Sequence, residues 1–250
     1  MMCTLRPIVK CLLRSIAVLA LAVTLAAPSP SRAAECFDLA LVLAIDGSGS
    51  IDQEEFALQR QAIVSAFTSP DVLQAMDRAG LMAAAVLYWG DADWPVQQTG
   101  FVRIGKPEDA GLLVAAVANM PRRVLGSTGL SNGLSAALDK LETAGCAHRS
   151  VINVSGDGAD TFVPRKRRLA PSLKAIRARA TAADVTINAL VITSEEADLK
   201  AYFEKQVITG PGAFVMEIKT VSDYAGALRR KLVREISPAA LASLPESASR

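Results

Sequence analysis

Seven consecutive apolar residues, Leu39 to Ile45, run directly into Asp46-Gly47-Ser48-Gly49-Ser50. A strand without polar alternation must be buried on both faces, which is the position of a central strand in a parallel sheet covered by helices on either side. The pentapeptide that follows then lies at the carboxyl end of that strand, where open α/β sheets form their binding crevices. It brings one carboxylate and two hydroxyls, an oxygen set that suits a hard divalent cation.

Other chemistries associated with a glycine-containing turn after a strand each lack a residue they need here. A dinucleotide fingerprint requires a third glycine where Asp52 stands. A phosphate-binding P-loop requires Gly-Lys-Ser/Thr after four spacers, and no such lysine follows Gly47. A hydrolase elbow requires glycines two positions either side of its serine, whereas Ser48 is flanked there by Asp46 and Ser50.

The rest of the chain alternates strands with helices, predicting one doubly wound, mostly parallel α/β sheet with a single antiparallel edge strand. Asp52 and Glu55 form a capping box for a helix with Phe56, Ile63, Val64 and Phe67 on one face. Leu81 to Trp89 is a strand, and Val96 to Ile104 its antiparallel hairpin partner. A helix opening at Pro107 is expected to bury Leu112, Leu113, Ala116, Val117 and Met120. Gly126-Ser127-Thr128-Gly129 precedes a helix marked by Leu130, Leu134, Leu138 and Leu141, which puts Thr128 beside a helix amino terminus. Val151 to Val154 is a strand ending in Ser155-Gly156-Asp157-Gly158, a second carboxylate in the same context as Asp46. Further elements are expected at 171–182 and 185–192, in a helix capped by Ser194-Glu195-Glu196, at 213–218, and in a last helix opened by Thr220 and Asp223. The residues from 238 to 250 are rich in Ala, Ser and Pro and read as a frayed tail.

The first 33 residues read as an export signal. Arg6, Lys10 and Arg14 precede an apolar stretch from Ile16 to Ala27, and Ser31-Arg32-Ala33 offers small residues for cleavage after Ala33, with Ala34 as the alternative. An uncleaved anchor is the competing reading of the same segment. No later segment is apolar and long enough to span a membrane. The leader carries four of the 27 basic residues and none of the 25 acidic ones, leaving 23 against 25 and a net charge of −2. A periplasmic or secreted domain of that charge has no concentrated basic surface for nucleic acid. Cys36 and Cys146 remain after cleavage. Cys36 precedes Asp46 by ten residues and Cys146 precedes Asp157 by eleven, so if the two strands are parallel neighbours both thiols lie at the opposite sheet end within disulfide reach.

Taken singly, each candidate site residue has a plain structural explanation. Asp46, Ser48 and Ser50 suit a capping turn, Thr128 an N-cap and Asp157 a turn. Asp91 and Asp93 read as turn carboxylates or as an accessory acidic patch, Trp89 and Trp94 as core or as an aromatic partner contact, and Arg165-Lys166-Arg167-Arg168 as a solvated run or a steering patch. His148, the only histidine, falls at the amino end of its strand, too far from Ser48 or Ser50 to act as their base.

Asp46-x-Ser48-x-Ser50 after a buried strand, the separate Gly-Ser-Thr128 before a helix, and Asp157-Gly158 after a later strand together resemble the von Willebrand factor A (vWA) domain. The phrases Leu-Val-Leu-Ala-Ile-Asp-Gly-Ser-Gly-Ser-Ile and Val-Ile-Asn-Val-Ser-Gly-Asp-Gly are most similar to an exported bacterial branch of unassigned function. The resemblance extends over residues 36–237. It implies a metal-ion-dependent adhesion site in which Ser48 and Ser50 bind the cation directly, Thr128 directly or through water, and Asp46 and Asp157 mainly through water. The implied ion is Mg²⁺, with Mn²⁺ or Ca²⁺ as alternatives, and the implied partner is a protein that offers Glu or Asp. Gly47 departs from the bulkier residues common at its position. Two other readings stay open: a metal-assisted hydrolase or phosphoryl-transfer enzyme with Asp46 as nucleophile, although Ser48 stands where a second carboxylate is usual, and a scaffold with a vestigial metal site.

Overall fold

The computed structural model describes residues 35–161, 171–194 and 196–237. The leader, the basic run at 165–168 and the tail from 238 lie outside those residues, as does Glu195. Strands β1 (Leu39–Asp46), β2 (Met82–Trp89), β3 (Gln97–Gln98), β4 (Val102–Ile104), β5 (Ser150–Gly156), β6 (Val185–Ile192) and β7 (Val215–Ile218) form one sheet. Its order is β3-β2-β1-β5-β6-β7, with β4 also on β2. The pairs β2–β1–β5–β6–β7 are parallel and β3 and β4 are antiparallel to β2.

The apolar run of β1 has the central place its composition requires, with every residue from Leu39 to Asp46 buried. Because side chains alternate across a strand, Leu39, Leu41, Leu43 and Ile45 enter one core, while Ala40, Val42 and Ala44 enter the other. The first core lies under α1 (Gln53–Phe67), α2 (Pro70–Ala79), α3 (Ala110–Ala118) and α7 (Tyr224–Ile236). The second lies under α4 (Leu130–Glu142), α5 (Leu173–Ala182) and α6 (Leu199–Gln206). The smaller β1 residues on this second face leave room for the fully buried Trp89. Helix α4 approaches that indole so closely that a Cβ on Gly133 would fall 2.4 Å from Trp89 Cγ.

Several local expectations change. The segment Val96–Ile104 is not one strand: Thr99 N–H donates to Val86 O (2.9 Å) and Thr99 Oγ1 accepts from Val86 N–H (3.0 Å), so a side chain takes over part of the ladder between β3 and β4. Helix α2, which begins with Pro70 at its first turn and ends at Gly80 with φ +84°, was not anticipated. Leu113, Val117 and Met120 are buried as expected, but Leu112 is 67% exposed and Ala116 also faces solvent. Helix α6 is capped at Asp198 rather than by the 194–196 segment. The Asp52–Glu55 capping box is present in both directions, at 2.8 and 3.0 Å.

Cys36 and Cys146 form a disulfide, beside the parallel bridge between Phe37 and Ala147. This is the amino end of the adjacent strands β1 and β5, as the offsets of ten and eleven residues from Asp46 and Asp157 require. No helix among the described residues is long and apolar enough to cross a membrane.

Candidate metal centre

The chain leaves β1 to one side for β2 and later returns to its other side as β5. Their carboxyl ends therefore border the crevice that such a reversal opens. Asp46 is the last residue of β1 and is fully buried. Its Oδ1 accepts Ser48 N–H at 2.8 Å, a side-chain turn that folds the pentapeptide back over the sheet edge. Gly47 N–H donates to Trp89 O at 2.8 Å. From there the hydroxyls form a row: Ser48 Oγ lies 3.3 Å from Ser50 Oγ, and Ser50 Oγ donates to Asp157 Oδ1 at 3.1 Å.

Thr128 approaches from the other side. A Cβ on Gly158 would stand 3.5 Å from Thr128 Oγ1, which places that hydroxyl against the Asp157-Gly158 turn. Thr161 ties the two loops together: Thr128 N–H donates to Thr161 Oγ1 (3.1 Å), and Thr128 O accepts from Thr161 N–H (3.0 Å). All five residues singled out in the sequence thus converge on one sheet edge. His148 does not; it lines a cavity of about 460 Å³ at the amino end of β5 with Arg149, Ser150 and Glu235. The length of β5 puts that end roughly 20 Å from Asp157.

Asp46 Oδ2 has no hydrogen-bond partner although it is buried. Burial raises the Asp46 carboxyl from 3.8 to about 8, the negative charge of Asp157 and a hydrogen bond that protonated Asp46 can share with the Asp157 side chain add to the rise, and the bonds from Ser48 only partly oppose it, so Oδ2 is without a partner when the group is ionised. Two carboxylates and a row of hydroxyls that leave a buried oxygen unsatisfied fit a divalent cation, since a hard cation takes oxygen ligands and compensates the clustered negative charge. Among the described residues no group of three or more His, Cys, Asp or Glu side chains gathers as a possible metal set, at this edge or elsewhere; the candidate centre brings two carboxylates, and its other donors are hydroxyls.

Several contributors lie outside the five candidate ligands. Arg122 Nη2 donates to Ser48 O (2.7 Å) and Gly47 O (3.4 Å), bracing the pentapeptide backbone from behind. Asp91 is neither a mere turn residue nor a free acidic patch: its Oδ2 accepts from Ser127 Oγ (2.8 Å) and Ser127 N–H (3.3 Å), and its Oδ1 from Asp93 N–H (2.9 Å). It thereby fixes the residue next to Thr128. A Cβ on Gly47 would lie 2.5 Å from the buried Val124 Cγ2, so the departure at this position is what lets the 119–129 loop close on the turn. Gly49 N–H donates to Gly126 O at 2.6 Å in the same contact. Trp89 belongs to the core, whereas Trp94 is 46% exposed.

Residues 35–240 match the model of a family described as "Protein of unknown function (DUF1194)". No curated protein matches the chain. Among solved structures it is similar to the pilus adhesin SpaC from Lactobacillus rhamnosus GG, at 11% identity over 81% of this chain and 31% of that one, TM-score 0.56. It is also similar to proximal thread matrix protein 1 from the mussel byssus with a zinc-occupied MIDAS motif, at 17% identity over 80% and 48% of the two chains, TM-score 0.55. A von Willebrand factor type A protein from Catenulispora acidiphila gives 15% identity over 80% and 43%, TM-score 0.53. The chain spans less than half the length of each of these three. The fold they share with it is that of the vWA domain.

Proposed function

The chain belongs to the DUF1194 family, and from its vWA fold and the oxygen-lined crevice at its switch point we propose an exported, noncatalytic domain that binds a partner protein through a divalent cation. Asp46, Ser48, Ser50, Thr128 and Asp157 would hold the ion, and a Glu or Asp of the partner would complete its shell. Mg²⁺ suits the site, with Mn²⁺ or Ca²⁺ as alternatives, because it accepts neutral oxygens and retains waters. The bound cation would supply an electrophilic centre for the incoming carboxylate. The chain's own residues do the rest: Ser48 and Ser50 offer hydroxyl oxygens, Asp46 and Asp157 balance charge, and Arg122, Asp91 and Thr161 keep the loops in place.

One observation carries this reading: a fully buried carboxylate oxygen of Asp46 without a partner, next to a hydroxyl row that ends on Asp157. Such an arrangement is costly as it stands and is relieved by a cation. A pilus adhesin and a MIDAS-bearing matrix protein with the same fold support a binding role. The described residues offer no imidazole near Asp46 or the serines to act as a base. Residues 1–33 serve as the export signal, and the folded domain occupies 36–237.

The test is thermal melting of the mature chain with Mg²⁺ or Mn²⁺ and with chelator, for wild type and Asp46→Ala. The wild type should be stabilised by the cations and the variant should not. A melt that ignores both cations sinks the proposal, and turnover of generic phosphatase or esterase substrates that vanishes in Asp46→Ala would replace it with the hydrolase reading.

A further inference from the structure

The cavity of about 460 Å³ at the amino end of the sheet stands apart from the candidate metal centre and has no part in cation binding. It lies between the last turn of α7 and the first halves of β5 and β6. Asp184, Thr186 and Asn188 line it at alternate positions, so it follows one face of β6 for four residue steps, roughly 13 Å. Val151, Pro211 and Phe214 give its middle an apolar surface. A volume of this size, mostly apolar with a few polar groups, suits a small organic ligand.

Most of the charge around the cavity is already engaged. Lys231 Nζ bonds Glu235 Oε1 at 2.6 Å, and Asn153 and Asn188 donate to the same carboxylate. Arg149 donates to the carbonyls of Glu235 (2.7 Å), Ser237 (3.2 Å) and Ile236 (3.5 Å), which closes the carboxyl end of α7. Two lining residues are left over, Arg234 and Asp184, both exposed. Among the described residues neither side chain makes a hydrogen bond or an ion pair.

The two stand at opposite ends. Arg234 lies flat over Phe214, with Cζ 3.6 Å from the ring centroid, and Phe214 N–H donates to Asn188 Oδ1 at 3.1 Å. That fixes the guanidinium at the Asn188 end, stacked on one face with its donor edge clear for a carboxylate. Asp184 precedes β6 at the other end, beside His148 and Arg149. It is the one non-glycine residue in the left-handed region among those described, with φ +53°.

A free cation and a free anion at the two ends of an apolar cleft complement a ligand of inverse polarity. We infer that the cavity binds a short peptide with free termini, its carboxylate on Arg234, its amino group on Asp184 and an apolar central side chain against Phe214 and Val151. Three extended residues span roughly 10 Å, which matches the run from Asp184 to Asn188.

The experiment is titration calorimetry of the mature chain with the tripeptide Ala-Leu-Ala, its N-acetyl form and its carboxyl-terminal amide, all in chelator so that no metal-bound carboxylate contributes. Ala-Leu-Ala should bind, and each blocked form should bind roughly tenfold more weakly. Arg234→Gln should erase the loss caused by amidation alone, and Asp184→Asn the loss caused by acetylation alone. Asparagine adopts the left-handed region as readily as aspartate, and Arg234 is exposed, so both variants keep the fold. No heat with millimolar Ala-Leu-Ala, equal binding of the blocked forms, or losses that persist in the two variants each overturn the inference. Binding that appears only after truncation behind Ser237 also overturns it, because residues 238–250 would then be what fills the cavity. Chelator throughout keeps every one of these outcomes independent of the cation reading.

Discussion

Asp46→Asn should change stability in opposite directions depending on whether a cation is present. The substitution keeps shape: an asparagine Oδ1 can still accept the 2.8 Å bond from Ser48 N–H. It replaces the unpartnered, buried Oδ2 with an amide that can donate toward Asp157, the neighbour whose charge opposes ionisation of Asp46. An unsatisfied buried acceptor costs about 1–3 kcal/mol, and an uncompensated buried charge costs more. Above pH 8, where the raised Asp46 carboxyl is ionised, relief of about 2 kcal/mol in chelator is therefore the expected gain, or about 4–8 °C in melting temperature for a domain of this size. With millimolar Mg²⁺ or Mn²⁺ the order should reverse, because the variant forfeits the charge that makes the ion favourable and the wild type gains by mass action. Differential scanning calorimetry of both proteins, with chelator and with cation, measures all four values. If Asp46→Asn is destabilised in chelator, or if its offset from wild type is the same with and without cation, the reasoning from the unpartnered carboxylate is wrong.

The buried pair on α7 sets a pH prediction. Lys231 Nζ bonds Glu235 Oε1 at 2.6 Å, and Asn153 and Asn188 donate to the same carboxylate at 2.6 and 3.0 Å. Burial lowers Lys231 from 10.5 to about 8 despite Glu235; a depressed folded value means its contribution is complete above about 10.5 and is lost as pH falls through about 8. Relative to Lys231→Met, the wild type should therefore gain stability as pH rises from 8 to 10, read from urea titrations, and parallel pH profiles would refute this. Gly133→Val should destabilise the domain by about 2–3 kcal/mol in chemical denaturation, because its Cβ meets Trp89 Cγ at 2.4 Å; a variant as stable as wild type would show that α4 can retreat freely. Reduction of Cys36–Cys146, which are 110 residues apart in sequence, should cost about 2–4 kcal/mol and leave Mg²⁺ affinity by calorimetry unchanged, since the bridge lies at the far end of β1 and β5. Asp91→Ala should weaken Mg²⁺ binding by several-fold in the same measurement without a comparable loss of stability, because it releases Ser127 beside Thr128; unchanged affinity would mean that the Thr161 clasp suffices.

How far the sequence reaches follows from how local each determinant is. The apolar run of β1 carried its own burial, and Asp46-Gly-Ser-Gly-Ser carried its own turn, because burial pattern and Asx geometry are properties of consecutive residues. The capping box at Asp52 and Glu55 is equally local. The disulfide was legible for a less local reason: offsets of ten and eleven residues between Cys36 and Cys146 and two strand ends need only that those strands be parallel neighbours. Helix α3 shows the limit, since helical periodicity marked both Leu112 and Leu113 as apolar but only the packed sheet chose Leu113 for the core. In Val96–Ile104, Thr99 substituted for a backbone partner of Val86, an event that composition does not announce.

The chain by itself therefore determined the alternation of strands and helices, the switch point at the end of β1, and the five oxygen-bearing residues around it. The tertiary structure decided what holds those residues together: Arg122 on the Ser48 carbonyl, Asp91 on Ser127, Thr161 on Thr128, and Val124 against Gly47. Each of these contacts joins residues 33 to 77 positions apart. Propensity and periodicity act over one or two turns of chain, whereas such pairs exist only once the loops have been brought together at one edge of the sheet.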